Sequence, residues 1–233
     1  MQNRLHLITT CTRRKARCAG DTVFPGDQGS LQAAGERWRQ LLARAGENPR
    51  NVMPAGDLYR GAHWLRARGI ASRWPGIELW AMSAGLGLRH HTDPAVAYEA
   101  TFHAMPFAPA TVWDLLTARP PLEGRCASLA ELMQRCPDDR FVIAGSPVYI
   151  SAAAQDILAG APALRDAAAQ LIIVTSQGYH GPLQPYLKRS RADMMAALKS
   201  NMTCLNIACA GALIDGMMQA DTGAGHSLPA ATR

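Results

Sequence analysis

Five short, nearly continuous apolar runs constrain this chain more than any other feature. They are residues 5–10 (LHLITT), 77–82 (IELWAM), 141–145 (FVIAG), 171–175 (LIIVT) and 203–208 (TCLNIA). Such runs are expected of strands covered on both faces. Helix-like segments lie between them. Residues 31–45 place Trp38, Leu41 and Leu42 on one face, and 57–68 follow a Pro-Ala-Gly turn with Asp57 as N-cap. Asp93 is the expected N-cap of a helix over 94–105, with Pro94 in its first position. Residues 127–136, 151–158, 161–170, 190–200 and 209–219 complete the set. Strands alternating with helices predict a three-layer α/β domain, a mostly parallel sheet of about five strands with helices on both faces. One domain is expected over residues 1–220. The proline-rich stretch 106–126 reads as an excursion from the sheet, and 221–233, without periodicity, as a disordered tail.

The composition is globular, with 48% hydrophobic and 18% charged residues in a chain of 233. No apolar run is long enough to cross a bilayer. The opening MQNRLHLITTCTRRK has too short an apolar stretch for a secretory signal, with its charges on the wrong side. A cytoplasmic protein is the expectation. The six cysteines form no C-x-x-C pair, and their spacings match no zinc or iron–sulfur pattern, so most of them read as small buried hydrophobes. Cys11 is set apart by its position at a strand end. The net charge of +6 is unevenly spread: residues 1–75 hold 13 basic and 5 acidic side chains, against 5 and 9 in 76–160. Nearly all of the basic excess is arginine, which suits bidentate phosphate contacts and points to a polyanionic partner, nucleic acid above all.

Parallel sheets bind ligands at the carboxyl ends of their strands. The first run is followed by Thr9, Thr10, Cys11, Thr12, Arg13, Arg14 and Lys15, and the second by Ser83-Ala84-Gly85-Leu86-Gly87. Ser146-Pro147-Val148-Tyr149 follows the third and Ser176-Gln177-Gly178-Tyr179-His180-Gly181 the fourth. Each end is small or polar, and several carry glycines that let backbone approach a ligand. Neither a Walker loop nor a dinucleotide fingerprint is present. His90-His91 with Asp93 is a poor metal set, so no metal or organic cofactor is expected. Asp93 and Glu99 are the carboxylates placed for acid–base work.

The segments ITTCTRRK, AGDLYRGAHWLRAR and WAMSAGLGLRHHTDPAVAYEATF occur in that order. Together they resemble a superfamily of bacterial proteins related to the peroxide-stress DNA-binding family. The resemblance covers roughly residues 5–105 and continues loosely through Gly145-Ser146-Pro147-Val148-Tyr149. It implies an α/β fold and nucleic-acid ties. One branch of the superfamily looks like anti-phage DNA glycosylases that remove glucosylated hydroxymethylcytosine. Ser176-Gln177-Gly178-Tyr179-His180-Gly181-Pro182 is in addition similar to the G-Q-D-P-Y-H-G-P loop of uracil-DNA glycosylases, without its water-activating aspartate. What the resemblance implies is a glycosylase that flips a modified base out of DNA, hydrolyses its N-glycosidic bond and leaves an abasic site. Asp93, then Glu99, would stabilise the oxocarbenium-like transition state. Arg13, Arg14, Lys15 and Arg60 would hold phosphates. Thr10, Cys11, Tyr59, Ser83, Gly85, Ser146, Tyr149, Gln177 and Asn201 would contact the substrate, with Leu86 as a wedge. The alternatives are a non-catalytic DNA-binding or damage-protection module, and an enzyme acting on free nucleosides or nucleotides.

Overall fold

The computed structural model describes residues 3–27 and 29–224. Its centre is a six-stranded sheet in the order β4-β3-β1-β6-β7-β8. These strands are β1 (Leu5–Thr10), β3 (Ile77–Ser83), β4 (Gly87–His90), β6 (Arg140–Ala144), β7 (Leu171–Ser176) and β8 (Leu187–Ser190). All neighbours are parallel except β3 and β4, which form a hairpin. Every residue of β1 is buried, His6, Thr9 and Thr10 included, as its nearly continuous apolar run predicts. A two-stranded ladder, β2 (Met53–Pro54) with β5 (Pro94–Ala95), stands outside the sheet.

Helices cover both faces, giving the three-layer α/β domain expected. The helix α3 (Ala62–Arg73) packs with α9 (Leu205–Ala224) against β1, β3, β6 and β7. Helix α1 (Leu31–Gly46) and the short α2 (Ala55–Leu58) precede α3. Elsewhere α4 (Pro109–Ala118) packs on α1 and α6 (Pro147–Ala152), and α5 (Leu129–Arg135) on α7 (Ala154–Gly160). The one-turn α8 (Ala167–Gln170), capped by Asp166, leads into β7. The stretch 106–126 thus contributes α4 to the helical layer. No helix among the described residues is long and apolar enough to cross a membrane.

Several sequence expectations fail. The helix expected over 57–68 is broken at 59–61, and Asp57 lies inside α2, whose N-cap is Pro54, and caps neither α2 nor α3. The run 203–208 is not a strand: Asn201 Oδ1 accepts the Cys204 N–H at 3.0 Å and starts a helical turn that runs on into α9. Its apolar residues form the buried stripe of a long helix. The expected helix over 94–105 is absent because its backbone bonds elsewhere. Glu99 N–H donates to Thr22 O and Phe24 N–H to Glu99 O, while Tyr98 and Phe102 are drawn into the core. The segment 190–200 begins as the last residue of β8 and continues as short turns. Of the expected tail, 221–224 continue α9, Asp221 pairing with Arg140; residues 225–233 lie outside the described residues.

Candidate functional site

From β1 the chain crosses to β3 on one side, whereas from β6 it continues to β7 and β8 on the other. Neighbours whose connections diverge leave a crevice beyond their carboxyl ends, the usual ligand position in open α/β sheets. A cleft of about 420 Å³ opens there, within the size range of small-molecule sites. Thr10, Cys11, Thr12, Arg13 and Arg14 come from the end of β1 and Ser146 from the end of β6. Gly61, Ala62 and His63 at the start of α3 form one wall, and Met202, Thr203 and Asn206 at the start of α9 another. The first-turn amides of α3 make its wall favourable to an anion.

The segment after β1 is held in shape by its neighbour 58–61. Ala16 N–H donates to Leu58 O (2.8 Å), Arg60 N–H to Arg14 O (2.9 Å) and Gly61 N–H to Thr12 Oγ1 (3.1 Å). A Cβ on Gly61 would meet the Thr12 side chain at 2.7 Å, so glycine is required for this approach. The clamp leaves Arg13 and Arg14 exposed at the mouth, with Arg60 beside them. Arg13 Nε stands 3.7 Å from Glu99 Oε1.

Behind Cys11 lies a polar and aromatic cluster. Cys11 Sγ is 3.4 Å from Tyr149 Oη, and the Tyr149 ring packs on Phe102 at 4.9 Å between centroids. Ser83 Oγ accepts the N–H groups of Gly85 (3.2 Å) and Leu86 (2.9 Å), so its own proton goes to Tyr98 Oη at 2.5 Å. Tyr98 then donates to Tyr59 Oη at 3.1 Å. Burial pushes both tyrosines up from their ordinary pKa, keeping them neutral donors. Lys15 Nζ lies over the Tyr98 ring, 4.2 Å from its centroid, and donates to Arg13 O at 3.3 Å. Burial lowers the Lys15 pKa, partly offset by Cys11 and Glu99.

His63 ties the cleft's walls together. Thr203 O can only accept, so His63 Nδ1 carries a proton and donates to it at 3.2 Å; Nε2 faces Thr9 Oγ1 at 2.6 Å. Burial holds the His63 pKa down. Asn206 is fixed by its bond to Gly145 O (2.8 Å) and by Ser190 Oγ (2.6 Å).

The expected site residues therefore divide. Thr10, Cys11, Arg13, Arg14 and Ser146 line the cleft, and Lys15, Tyr149 and Glu99 stand beside it. Tyr59 and Ser83 are buried behind it as members of the hydroxyl chain. Gly85 makes its close approach to Tyr98, where a Cβ would lie 2.6 Å from the ring, and not to a ligand. Leu86 has no exposed surface, which rules it out as a wedge. Gln177 is exposed past the end of β7 and outside the cleft; in its loop Tyr179 turns inward and accepts the Leu183 N–H. Asn201 caps the turn before α9, two residues from the cleft-lining Thr203.

Asp93 is carried furthest away. Because β4 runs antiparallel, its end lies beside the start of β3, at the opposite edge of the sheet. There Asp93 is 4% exposed and caps no helix; Oδ2 accepts the N–H of His90 (2.8 Å), and both oxygens accept that of Arg125 (3.3 Å). It offsets the charge of the buried Arg89, whose guanidinium clasps the carbonyls of Leu86, Leu122 and Glu123. His63, Asn206, Tyr98 and Phe102 were not expected. Asn206 was hidden by reading its segment as a strand, and His63 lies inside the segment AGDLYRGAHWLRAR without a role of its own there.

One group with metal-ligand chemistry, His6, Cys136 and Asp139, also sits at this opposite edge. Trp80 Nε1 donates to His6 Nδ1 (3.1 Å), so Nε2 holds the proton and donates to Asp139 Oδ2 (2.9 Å). Burial pushes the Cys136 thiol up to about 11. With Nδ1 taken by the Trp80 indole and the Nε2 proton given to Asp139, the His6 ring as held here turns no free lone pair toward Cys136 and Asp139. Comparisons with protein families, with curated proteins and with solved structures find no match for this chain.

Proposed function

We propose that this protein is a DNA glycosylase that hydrolyses the N-glycosidic bond of a modified base and leaves an abasic site. Glucosylated hydroxymethylcytosine is the substrate the sequence resemblance favours, with cytoplasmic defence against phage DNA as the setting. The observation that carries the reading is the placement of Glu99. Its half-exposed carboxylate stands beside Arg13 at the mouth of the crevice between β1 and β6, the only one of the two expected carboxylates at that end. In this reading Arg13, Arg14 and Arg60 hold phosphates on either side of the flipped nucleotide. The amides at the start of α3 face the same anionic backbone. As the glycosidic bond breaks, positive charge grows on the sugar, and Glu99 opposes that charge and orients the attacking water. Tyr149, Ser146 and Asn206 offer hydrogen-bonding groups to the base or to a sugar attached to it. No step requires a metal.

One observation favours a second reading, an enzyme acting on free nucleotides. Much of the basic excess is engaged internally: Arg4, Arg39, Arg68 and Arg73 pair with carboxylates, and Arg66 binds the carbonyls of Leu198 and Lys199. The cations left at the cleft suffice for a few phosphates.

The test uses DNA with ordinary bases and DNA with glucosylated hydroxymethylcytosine. Abasic sites are counted by alkaline cleavage and the released base is identified by mass. Release from modified DNA alone, abolished by Glu99→Gln, is the expected result. Gel retardation without base release from either DNA would favour the non-catalytic module. Base release from free nucleotides alone would favour the second reading.

A further inference from the structure

The wall that α3 gives to the cleft holds more hydrogen-bond contacts than it has protons. Thr203 O, the His63 ring, Thr9 Oγ1 and Ala144 O form one chain, with contacts of 3.2, 2.6 and 2.8 Å. The carbonyls at its two ends can only accept. A neutral imidazole and a hydroxyl bring one proton each to these contacts. With Nδ1–H given to Thr203 O and the Thr9 hydroxyl to Ala144 O, the 2.6 Å contact sets two lone pairs face to face. A proton on Nε2 fills it, so the chain is complete only around an imidazolium.

No side chain beside His63 balances that charge. Cys11, Arg13 and Arg14 lie beyond β1, and Cys204 precedes α9. Arg66, one turn further along α3, turns to the carbonyls of Leu198 and Lys199. The only charged residues of β3 and β6, Glu78 and Arg140, stand at the amino ends of those strands. Asp215 and Asp221 on α9 pair with Arg73 and Arg140, and Glu99 at the mouth faces Arg13. Among the described residues no carboxylate lines the cleft. Two features of the same cleft await an anion. No side chain caps α3, which leaves its first-turn amides to the cleft. Thr10, only 9% exposed, lines the cleft and makes no side-chain hydrogen bond among the described residues.

We propose that Thr10 and the start of α3 form a seat for a phosphoryl oxyanion, and that filling the seat places a second proton on His63. The proton comes from solvent, binds Nε2 and is shared with Thr9 Oγ1; no bond to the ligand forms or breaks. Anion and imidazolium neutralise each other, so each favours the other's presence. Burial keeps His63 neutral while the seat is empty. The inference rests on the phosphate-binding part of the glycosylase reading and not on base hydrolysis.

The experiment follows the ring nitrogens of the full chain, made with isotope-labelled histidine, by nuclear magnetic resonance from about pH 8 to about pH 5. Sodium sulfate is the probe, because it stays a dianion over this range and only the protein titrates. Without sulfate, His63 is expected as the neutral tautomer protonated on Nδ1. With sulfate, the cation should appear about one pH unit higher or more, and the affinity for sulfate should rise up to about tenfold per pH unit of acidification, the limit for one proton. In His63→Gln that affinity should not change with pH. Thr9→Val keeps the side-chain volume and removes the acceptor of the new proton. It should cut the gain to less than about threefold, and it identifies the Nε2 signal by displacing it. A gain that persists in His63→Gln, a His63 that stays neutral with sulfate bound, or no sulfate binding at all overturns the proposal. A dinucleotide whose single phosphate is a diester separates the two sources of the anion. The same response would assign the seat to the DNA backbone, and a response to sulfate alone to the terminal phosphate of a nucleotide. Base release with His63 neutral throughout would leave the glycosylase reading standing and remove the proton-linked seat; the seat without base release from any DNA would do the reverse.

Discussion

The two ends of the sheet are built from similar residues and make opposite use of them. At the amino end, His6, Asp139, Trp80, Glu78, His90, Asp93 and Arg89 form a closed network of partners within the protein. At the carboxyl end, Arg14 and Arg60 make no side-chain bond among the described residues, Lys15 is half-buried, and Glu99 meets only the exposed Arg13 at 3.7 Å. Perturbed titratable groups occur at both ends, so perturbation alone does not find the site. Polar groups that remain available to a ligand distinguish the carboxyl end.

The sharpest way to break this comparison is to remove one carboxylate from each end. Glu99→Gln should lower the rate of base release by about 10²–10⁴-fold, the usual cost of losing a positioned acid–base group, while leaving Tm close to that of the parent. Asp93→Ala should do the reverse. It strips acceptors from two backbone amides and leaves the buried Arg89 uncompensated, a loss of about 3 kcal/mol or more. The folded fraction should keep its rate. Thermal denaturation and single-turnover base release on both variants check the pair. A rate collapse in folded Asp93→Ala would mean that the closed end takes part in the chemistry.

Next in size is the hydroxyl chain between the two regions. Ser83→Ala removes the acceptor for Gly85 N–H and Leu86 N–H and the donor to Tyr98. A cost of about 2 kcal/mol is expected from the buried donors left unpaired, read by urea denaturation. Cysteine should retain part of that stability, since sulfur accepts weakly.

How far the sequence already contained this division can be traced to particular residues. Strands β1, β3, β6 and β7 are legible because burial on both faces demands nearly continuous apolar runs. The edge strands are not: GLRH in β4 and LKRS in β8 are short and carry charged or polar residues on both faces, although β4 is buried throughout. The run 203–208 misleads because a six-residue, mostly apolar stretch fits either element, and the turn that decides it starts with a capping bond from Asn201. The rule of carboxyl strand ends finds the cleft, but strand order selects which ends meet. Only β1 and β6 diverge there, so the ends of β3 and β7 contribute no lining residue. Asp93 and Glu99 are six positions apart in the sequence, yet the hairpin β3–β4 carries one to the far edge. The segment 94–99 then returns the other to the cleft. That separation is a tertiary fact with no local signature.

The pH dependence of stability sharpens the comparison from another side. Burial holds His6, His63, His90 and His91 below the ordinary imidazole value, His90 down to about 4. Their unfolded forms therefore take up protons first as pH falls. Stability should be full above about pH 6.5 and decline as pH drops toward 4, where His90 itself begins to protonate. Three of the four lie at the amino end or beside it. His90→Gln should accordingly flatten the profile of Tm against pH more than His63→Gln does. A larger flattening from His63→Gln would place the main proton-sensitive contact in the cleft wall.

The smallest effect concerns the exposed cations. Arg14 makes no side-chain bond among the described residues, so replacing it should leave Tm within the scatter of a surface substitution. If it touches one DNA phosphate, Arg14→Ala should weaken binding to modified and unmodified DNA alike. It should also reduce the slope of log K against log salt by about 1. Arg73→Ala is the matched control at a distance, because Arg73 pairs with Asp215 on α9 and lies outside the cleft. An equal loss of salt slope in both variants would show that DNA follows the general charge of the protein. A loss confined to Arg14 would place the backbone at the mouth between β1 and α3. That outcome would also limit the number of phosphates this surface engages, and so discriminate between a strand of DNA and a single nucleotide in the same crevice.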